Sequence, residues 1–585
     1  MTKYILPAAA AVFLLMFLLG LPDLTNRATL CGFEEERHKA CKAITGKDLA
    51  IMLCITLLFG FVDFSGLGNR ESPETFIPIS RSPAVLTQQG ERPCSQIAFF
   101  TGVGYGEYVF ESSEDGVNYT ELQRFSQDAA AVLKWQYVLL NEPCSARYLR
   151  ITCNGDAWLG EAALLDADSS LLPFSCDAPE LCDEQAAVCL KQDYMNSTFF
   201  DEIYHARTAW ENLNNVYPYE ISHPPLGKLI ISLGISLFGM TPFGWRFSGT
   251  LFGILMLPVL YIFVKRMFGS TRVSTCAALV FATDFMHFVQ TRIATIDTYA
   301  VFFTLLMYLF LYEFLCSGSR KALALSGVFF GIGAASKWTC IYAGAGLAVL
   351  WGAYWVIHRR KGAAEFFSNA LFCIGFFVIV PCLIYYVSYI PYGRALEIPG
   401  IFNMDYLNTV LDNQKYMFEY HSKLVAEHPY SSMWYQWVLD IRPILYYLEY
   451  FENGTRSSFG AILNPLLCWG GLLSLFVLVF CAIYHRDGNA AFILVGYFAQ
   501  LVPWMFVTRL TFEYHYFPCS VFLVLGLAYV FRLMENGARH SKAYLWSFVA
   551  VSGALFILFY PVLSGRPVRN EFANTYLEWL PTWPF

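Results

Sequence analysis

Apolar runs of roughly twenty residues, the length of helix that crosses a bilayer core, recur along this chain. They predict twelve spans, at about 4–22, 48–64, 249–267, 273–290, 298–316, 322–336, 339–357, 367–388, 459–484, 489–507, 516–533 and 543–562. The sixth is short and glycine-rich and reads as half of a tight hairpin. Basic residues fall in alternate connections: Arg27, Arg37, Lys39, Lys42 and Lys47, then Lys265, Arg266 and Arg272, then Arg320 and Lys321, then Arg359 to Lys361, then Arg486, then Arg532, Arg539 and Lys542. Cytoplasmic loops collect Lys and Arg, so both termini and the long segments 65–248 and 389–458 are expected outside the cytoplasm. The first span, with Lys3 ahead of its apolar core and no small-residue cleavage site behind it, reads as an uncleaved anchor. The pattern predicts a polytopic α-helical membrane protein.

One external stretch, 65–175, departs from this pattern. It is polar and alternates β-forming segments with turns: Gln96–Thr101, Glu107–Glu111 and Ala146–Thr152, with the turn Ser113–Thr120 after the second. An inserted extracytoplasmic β-sandwich is expected. The S-x-D-G-x-N-Y-T turn, the later R-Y-L-R-I strand and a closing strand Glu161–Asp166 resemble the discoidin family, a jelly roll. That resemblance implies either a structural module or glycan and surface binding through loops at one end. Residues 176–200 then read as a Cys-containing linker. Of seventeen cysteines, Cys94, Cys144, Cys153, Cys176, Cys182 and Cys189 lie in this exported region, where oxidation is chemically allowed. Six cysteines allow fifteen pairings, which leaves the pairing open, with Cys176, Cys182 and Cys189 as candidates for a small knot.

Composition agrees with the span pattern. Of 585 residues 56% are hydrophobic, 17% aromatic and 15% charged, against about a quarter charged in an average soluble domain. This excludes an ordinary soluble enzyme. The formal charge of −7 argues against nucleic acid as the main partner, because that needs a basic face. The signatures of nucleotide-driven transport and zinc peptidase chemistry are missing, and no carrier-type repeat is visible.

Chemistry is expected where ionisable groups crowd against the apolar slab, since charge there is costly. Residues 198–228 do this. Thr198-Phe-Phe-Asp201 has capping-box spacing, which predicts a helix over Asp201–Trp210 with Asp201 and His205 on one face; a bare capping role for Asp201 fits equally. His223-Pro-Pro-Leu-Gly-Lys228 predicts an extended approach to a helix start, where Lys228 joins exposed N–H groups as an anion site. The apolar helix Leu226–Gly239 behind it would lie in the interface.

The Asp201-Glu202 pair followed by HPPLGK resembles the protein O-mannosyltransferases, members of the GT-C class that use polyprenyl-phosphate sugars. The resemblance continues through Trp245-Arg246-Phe-Ser-Gly, Thr291-Arg292-Ile-Ala-Thr-Ile-Asp297, Ser336-Lys337-Trp338, Ile441-Arg442-Pro443, Tyr514-His515-Tyr516 and a W-x-P-x-W ending at Trp579, and so covers 201–585. Two departures stand out: the MIR domain of eukaryotic members is absent, and a discoidin-like insert is not usual in the first external loop. The domains expected are 1–64, two N-terminal spans; 65–175, the insert; 176–200, the linker; and 201–585, a GT-C-like catalytic membrane domain.

What the resemblance implies is transfer of a hexose, mannose above all, from a lipid-linked donor to Ser or Thr hydroxyls of an exported polypeptide by an inverting single displacement. Asp201 would be the base and Glu202 would orient acceptor or sugar. Lys228, Arg246, Arg292 and Arg509 are candidates to meet the charge of the leaving phosphate, with His223 and His515 hydrogen-bonding phosphate or sugar. Asp297 would hold Arg292, Lys337 is a ligand or a buried ion-pair partner, and His205 and Arg442 support the site. No metal site and no cofactor beyond the donor are evident. The aromatics of 430–452 and the tail Trp579–Phe585 are expected mainly as an interfacial belt. Two other functions fit: a GT-C enzyme glycosylating a lipid or envelope polysaccharide, and a non-catalytic glycan-binding receptor. Lack of a MIR domain and retention signal points to a bacterial cytoplasmic membrane, and a dimer is expected by analogy with eukaryotic members.

Overall fold

The structure, a computed structural model, describes residues 4–25, 44–80, 82–358 and 362–585. Lys3, Arg27, Arg37, Lys39, Lys42 and Arg359 to Lys361 lie outside the described residues. The chain divides into two compact units, one of Met1–Ser65, Asn215–Ile230 and Ser248–Phe585, the other of Gly66–Asn214 and Ile231–Phe247.

In the first unit every predicted span is met by helix. Among the described residues eight helices are long and apolar enough to cross a membrane, or nine if a bent pair counts as one span. The shortfall from twelve has physical causes. Ile5–Leu19 has 15 residues and Arg320–Ser336 has 17, and Gly46–Phe64 carries Lys47, Asp48 and Asp63. The predicted 273–290 span is broken: helices Thr271–Ala282 and Phe285–Thr291 meet at 59°. Asp284 sits at the break and its carboxylate accepts from the His287 N–H at 3.1 Å, so it caps a new helix inside an apolar run. The predicted 459–484 span starts later, at Pro465, because Thr455–Ala461 is a strand. That strand pairs antiparallel with Ile444–Tyr450 and with Val568–Arg569.

Part of the expected aromatic belt is core. Trp437 is fully buried, and buried Tyr446 donates to Gln290 Oε1 at 2.6 Å, while Tyr435 and Tyr450 are exposed. Trp579, Trp583 and Phe585 are buried around Phe559, and Trp583 Nε1 donates to the Asp440 carbonyl at 2.8 Å. These indoles bind the chain's end to the segment carrying Arg442 and do not face lipid headgroups. Polar contacts also lock the early helices: Asp48 accepts from Tyr261 (2.8 Å) and Thr271 (2.7 Å) and pairs with Lys265 at 3.3 Å.

The second unit is a two-sheet sandwich. Its strands are β1 Ala84–Gln88, β2 Cys94–Thr101, β3 Gly106–Ser113, β4 Thr120–Gln127, β5 Trp135–Cys144, β6 Tyr148–Gly155, β7 Leu159–Leu165 and β8 Phe174–Cys176. They form sheets ordered β4-β3-β6-β1-β8 and β5-β2-β7, all antiparallel. Phe99, Tyr108, Phe110, Leu149, Ile151 and Leu164 fill the space between. The turn after β3 is built by Asp115, whose carboxylate accepts from the Val117 and Asn118 N–H groups at 2.8 Å; these bonds hold its pKa below the usual carboxylate range. The linker is folded, not free: Val188 and Cys189 pack on the outer face of β5-β2-β7 against Phe100 and Trp135. Tyr137 donates to the Cys189 carbonyl at 2.6 Å.

Candidate active site

In the sandwich unit the chain enters helix Glu202–Leu213 through Phe200, a bulky residue at φ 47°, which L-residues rarely adopt. The capping box predicted from Thr198 is not formed. The helix starts at Glu202, Asp201 is its half-buried N-terminal flank, and Asp201's side chain makes no capping hydrogen bond. Its carboxylate thus makes no capping bond to the helix end. Buried His205 follows one turn on, its N–H bonded to the Asp201 carbonyl at 3.2 Å.

Glu202 and Arg246 face each other in complete burial, 0% and 1% exposed. Arg246 Nε and Nη2 each donate to one Glu202 carboxylate oxygen at 2.8 Å, a bidentate pair. Nη1 donates to the carbonyls of Leu67 (2.8 Å) and Tyr194 (2.6 Å), and Nη2 also to that of Ser197 (2.9 Å). A guanidinium has five N–H donors, and these contacts use them all. Trp245 Nε1 adds a bond to Glu202 at 3.3 Å. Gly68 makes the approach to Leu67 feasible, since a Cβ there would lie 3.0 Å from Arg246 Nη1 and 2.6 Å from Pro242. Arg246, expected on the donor phosphate, is thus committed to fixing Glu202 and the backbone leading into Asp201. Glu202 is equally committed, so neither acts as a mobile ligand.

In the helical unit the HPPLGK turn is built around a carboxylate. Lys228, fully buried, donates to Glu220 Oε2 (2.5 Å) and to the carbonyls of Glu220 (2.7 Å) and His223 (2.9 Å). Three acceptors satisfy an ammonium group, so the expected exposed anion site at Lys228 is instead a clamp on the turn. The helix does begin at Leu226, behind Pro224 and Pro225, as the spacing predicts. His223 Nδ1 lies 3.2 Å from Glu220 Oε1 and 3.1 Å from Ser222 Oγ. Burial lowers the His223 pKa, opposed by Glu220 and assisted by Lys337 and Lys228.

His421, on helix Met404–Lys423, stands against this turn. Its Nε2 donates to the Ser222 carbonyl at 2.8 Å, and its ring lies 5.1 Å from that of His223 and 6.3 Å from Trp338. Burial and the positive surroundings of His223, Arg509 and Lys337 push its pKa down to about 4. Lys337 pairs with Asp297 at 2.6 Å and lies 5.5 Å from the Tyr514 ring. Asp297 therefore holds Lys337. Arg292 donates to the Asp63 carbonyl and lies 4.9 Å from the Phe288 ring. Half-buried Arg509 donates to the Leu510 carbonyl at 3.1 Å and has no acidic partner among the described residues. His515 stacks on Tyr514 at 4.4 Å and meets Trp504 edge-on at 4.3 Å, its Nδ1 2.9 Å from the Phe512 carbonyl. Arg442 donates to the Pro429 carbonyl at 2.7 Å.

The structure thus brings His223, Lys337, Arg509 and His515 together with His421 and Tyr514, and assigns Lys228, Arg246 and Arg442 to holding loops. Glu220, His421 and Tyr514's ring contact were missed in the sequence. Glu220 had a signal, a carboxylate three residues before His223 in a proline turn; His421 had none, because only the tertiary fold brings it to Ser222. Asp440 was also missed: it is buried, at φ 57°, and its Oδ1 accepts from the Leu463 N–H at 3.3 Å. Burial pushes its pKa up to about 7.

Helical spans with a basic and aromatic cluster beside the HPPLGK turn define a polytopic membrane protein. Two family models match, "Dolichyl-phosphate-mannose-protein mannosyltransferase" over 222–385 and the "C-terminal four TMM region of protein-O-mannosyltransferase" over 406–583. The chain belongs to the protein O-mannosyltransferase family. It is 25% identical over 457 residues to a polyprenol-phosphate-mannose–protein mannosyltransferase of Mycolicibacterium smegmatis, covering 66% of this chain and 87% of that protein. A protein of the same name from Mycobacterium tuberculosis is 25% identical over 450 residues, 66% of this chain and 86% of its own length. Among solved structures, the S. cerevisiae protein O-mannosyltransferase Pmt1–Pmt2 complex bound to the sugar donor shares the fold at 14% identity and TM-score 0.58, over 67% of this chain and 90% of that one.

Proposed function

We propose that this protein transfers mannose from a polyprenyl-phosphate donor to Ser or Thr hydroxyls of exported polypeptides, at the extracytoplasmic face of a bacterial cytoplasmic membrane. The observation that carries the reading is Arg509, a cation without an acidic partner among the described residues, acting on His421 together with Lys337 and His223. Such a cluster suits a phosphate whose negative charge grows as the glycosyl bond breaks. Arg509 and Lys337 meet that charge, while neutral His421 and His223 supply hydrogen bonds. Tyr514 and Trp338 offer ring faces beside them.

The acceptor hydroxyl attacks the anomeric carbon, the bond from that carbon to the phosphate oxygen breaks, and the polyprenyl phosphate leaves with the electron pair. Asp201 takes the hydroxyl proton as the new bond forms. Single displacement by one carboxylate inverts the anomeric configuration, unlike the paired-carboxylate route of retaining glycosidases. Glu202 and Arg246 are positioning residues in this scheme. Assembly as a dimer belongs to the same proposal, following the naming of the yeast structure as a complex.

The test is to incubate membranes containing the protein with radiolabelled polyprenyl-phosphate-mannose and a Ser/Thr-rich peptide. Label on the peptide, released by an α-mannosidase, supports the reading. Label confined to lipid or polysaccharide transfers the assignment to the other acceptor class.

A further inference from the structure

The six cysteines of the sandwich unit are sorted by their surroundings. Cys94, the first residue of β2, is the direct cross-strand partner of Cys144, the last residue of β5. Directly opposed residues of an antiparallel pair have Cα atoms about 4.5–5.5 Å apart, inside the range a disulfide spans. Both side chains belong to the core between the sheets, so both point to the same side of their sheet. Cys176 ends β8, and Cys182 follows the single turn Pro179–Leu181. Cys176 Sγ donates to the Ala178 carbonyl at 2.9 Å and Cys182 Sγ to the Pro179 carbonyl at 3.6 Å, so both thiols lie on the same short turn, near enough for each to perturb the other. The remaining two are set apart: Cys153 lies in the inter-sheet core, whereas Cys189 packs on the opposite face of β5-β2-β7.

We propose that Cys94–Cys144 and Cys176–Cys182 are disulfides in the mature protein, and that Cys153 and Cys189 remain thiols. The inference rests on the extracytoplasmic placement proposed above, because such bonds persist only in an oxidising compartment. In each bridge two S–H bonds break and one S–S bond forms. The two electrons and two protons pass to the disulfide of an exported thiol–disulfide oxidoreductase, which becomes a dithiol. The first bridge closes the chain between β2 and β5 across one edge of the sandwich. The second fastens the end of β8 to the turn that sends the linker over the outer face of β5-β2-β7, on the way to Phe200 and Asp201.

The test is made on the full chain in its cells. Thiols are quenched with N-ethylmaleimide at harvest, and the unreduced protein is digested and mapped by mass spectrometry. Linked peptides containing Cys94 with Cys144 and Cys176 with Cys182 are expected, with maleimide on Cys153 and Cys189 after denaturation. Maleimide on most copies of Cys94, Cys144, Cys176 or Cys182, or a bridge that includes Cys153 or Cys189, overturns the pairing. A Val117→Cys variant at the exposed turn after β3, probed on intact cells with a membrane-impermeant maleimide, separates the two premises. If it labels while the four cysteines are unbridged, the pairing fails and the placement stands. If it labels only after permeabilisation, the placement fails and takes the pairing with it.

Discussion

Replacing Arg246 by Met keeps the length of the side chain and removes its charge, leaving Glu202 buried with its counter-ion gone. Two charge-assisted bonds link these residues at 2.8 Å, each contributing about 1.5–3 kcal/mol. Breaking a buried pair from one side costs about 3–5 kcal/mol, much of it the penalty on the orphaned charge. Three backbone carbonyls, Leu67, Tyr194 and Ser197, lose their donor at the same time. The penalty falls on the start of helix Glu202–Leu213, so hydrogen exchange of that helix's amides is the appropriate assay, because it reports local opening free energies. Protection in Arg246→Met should fall by about two to four orders of magnitude, the equivalent of those energies. In the double variant Arg246→Met/Glu202→Gln no charge is buried, and at least half of the lost protection should return. Unchanged protection in the single variant, or a double variant exchanging as fast as the single, would refute the reasoning.

Three other expectations follow from the same geometry. Arg509→Ala should lower kcat/KM for the lipid-linked donor about 10²-fold, in the range for removing one group that stabilises a developing anion, with Arg509→Lys losing less; equal activity of wild type and Arg509→Ala contradicts a phosphate role. His421→Leu deletes the bond to the Ser222 carbonyl and should raise the donor KM, while the wild-type pH profile shows no limb from His421 between pH 5 and 8, because its pKa sits near 4; such a limb that vanishes in the variant would count against it. In the sandwich, burial with help from Glu184 and Asp183 pushes the Glu161 pKa up to about 7. A carboxyl raised on folding holds its proton more tightly in the native state, so its contribution is present below about pH 4.5 and is lost as pH rises through 7. Unfolding midpoints should therefore fall across that interval in the wild type and flatten in Glu161→Gln; identical slopes in both proteins would oppose the assignment.

Helix positions were legible because a bilayer demands long apolar runs, and so were the sandwich strands: burial alternates along Tyr148–Asn154, whereas Cys94–Thr101, the central strand of its sheet, is buried at nearly every position and is marked by its β-forming residues. The break at Asp284 was also written in the sequence, as a capping residue inside an apolar run, but hydropathy alone averages over it. Trp437 was ambiguous for a related reason: a Trp suits a membrane interface and a protein core equally, and only the fold places it against His515 and Trp504. At the site, motifs identified the charged residues but not their partners. Lys228 and Arg246 look like phosphate ligands until Glu220 and Glu202 are seen to engage them. Arg509, which no motif emphasised, has no carboxylate partner among the described residues. His421 could not be found by spacing, since its link to the HPP turn is a carbonyl contact between segments distant in sequence.

The central claim is that Asp201 takes the acceptor proton. The measurement that tests it most directly is single-turnover transfer of labelled mannose from polyprenyl phosphate to a Ser/Thr-rich peptide by Asp201→Asn, with donor binding measured on the same preparation. Donor affinity should stay close to wild type and the transfer rate should fall by about 10²–10⁴-fold, the contribution of a positioned general base. Transfer at the wild-type rate with the donor bound would contradict it.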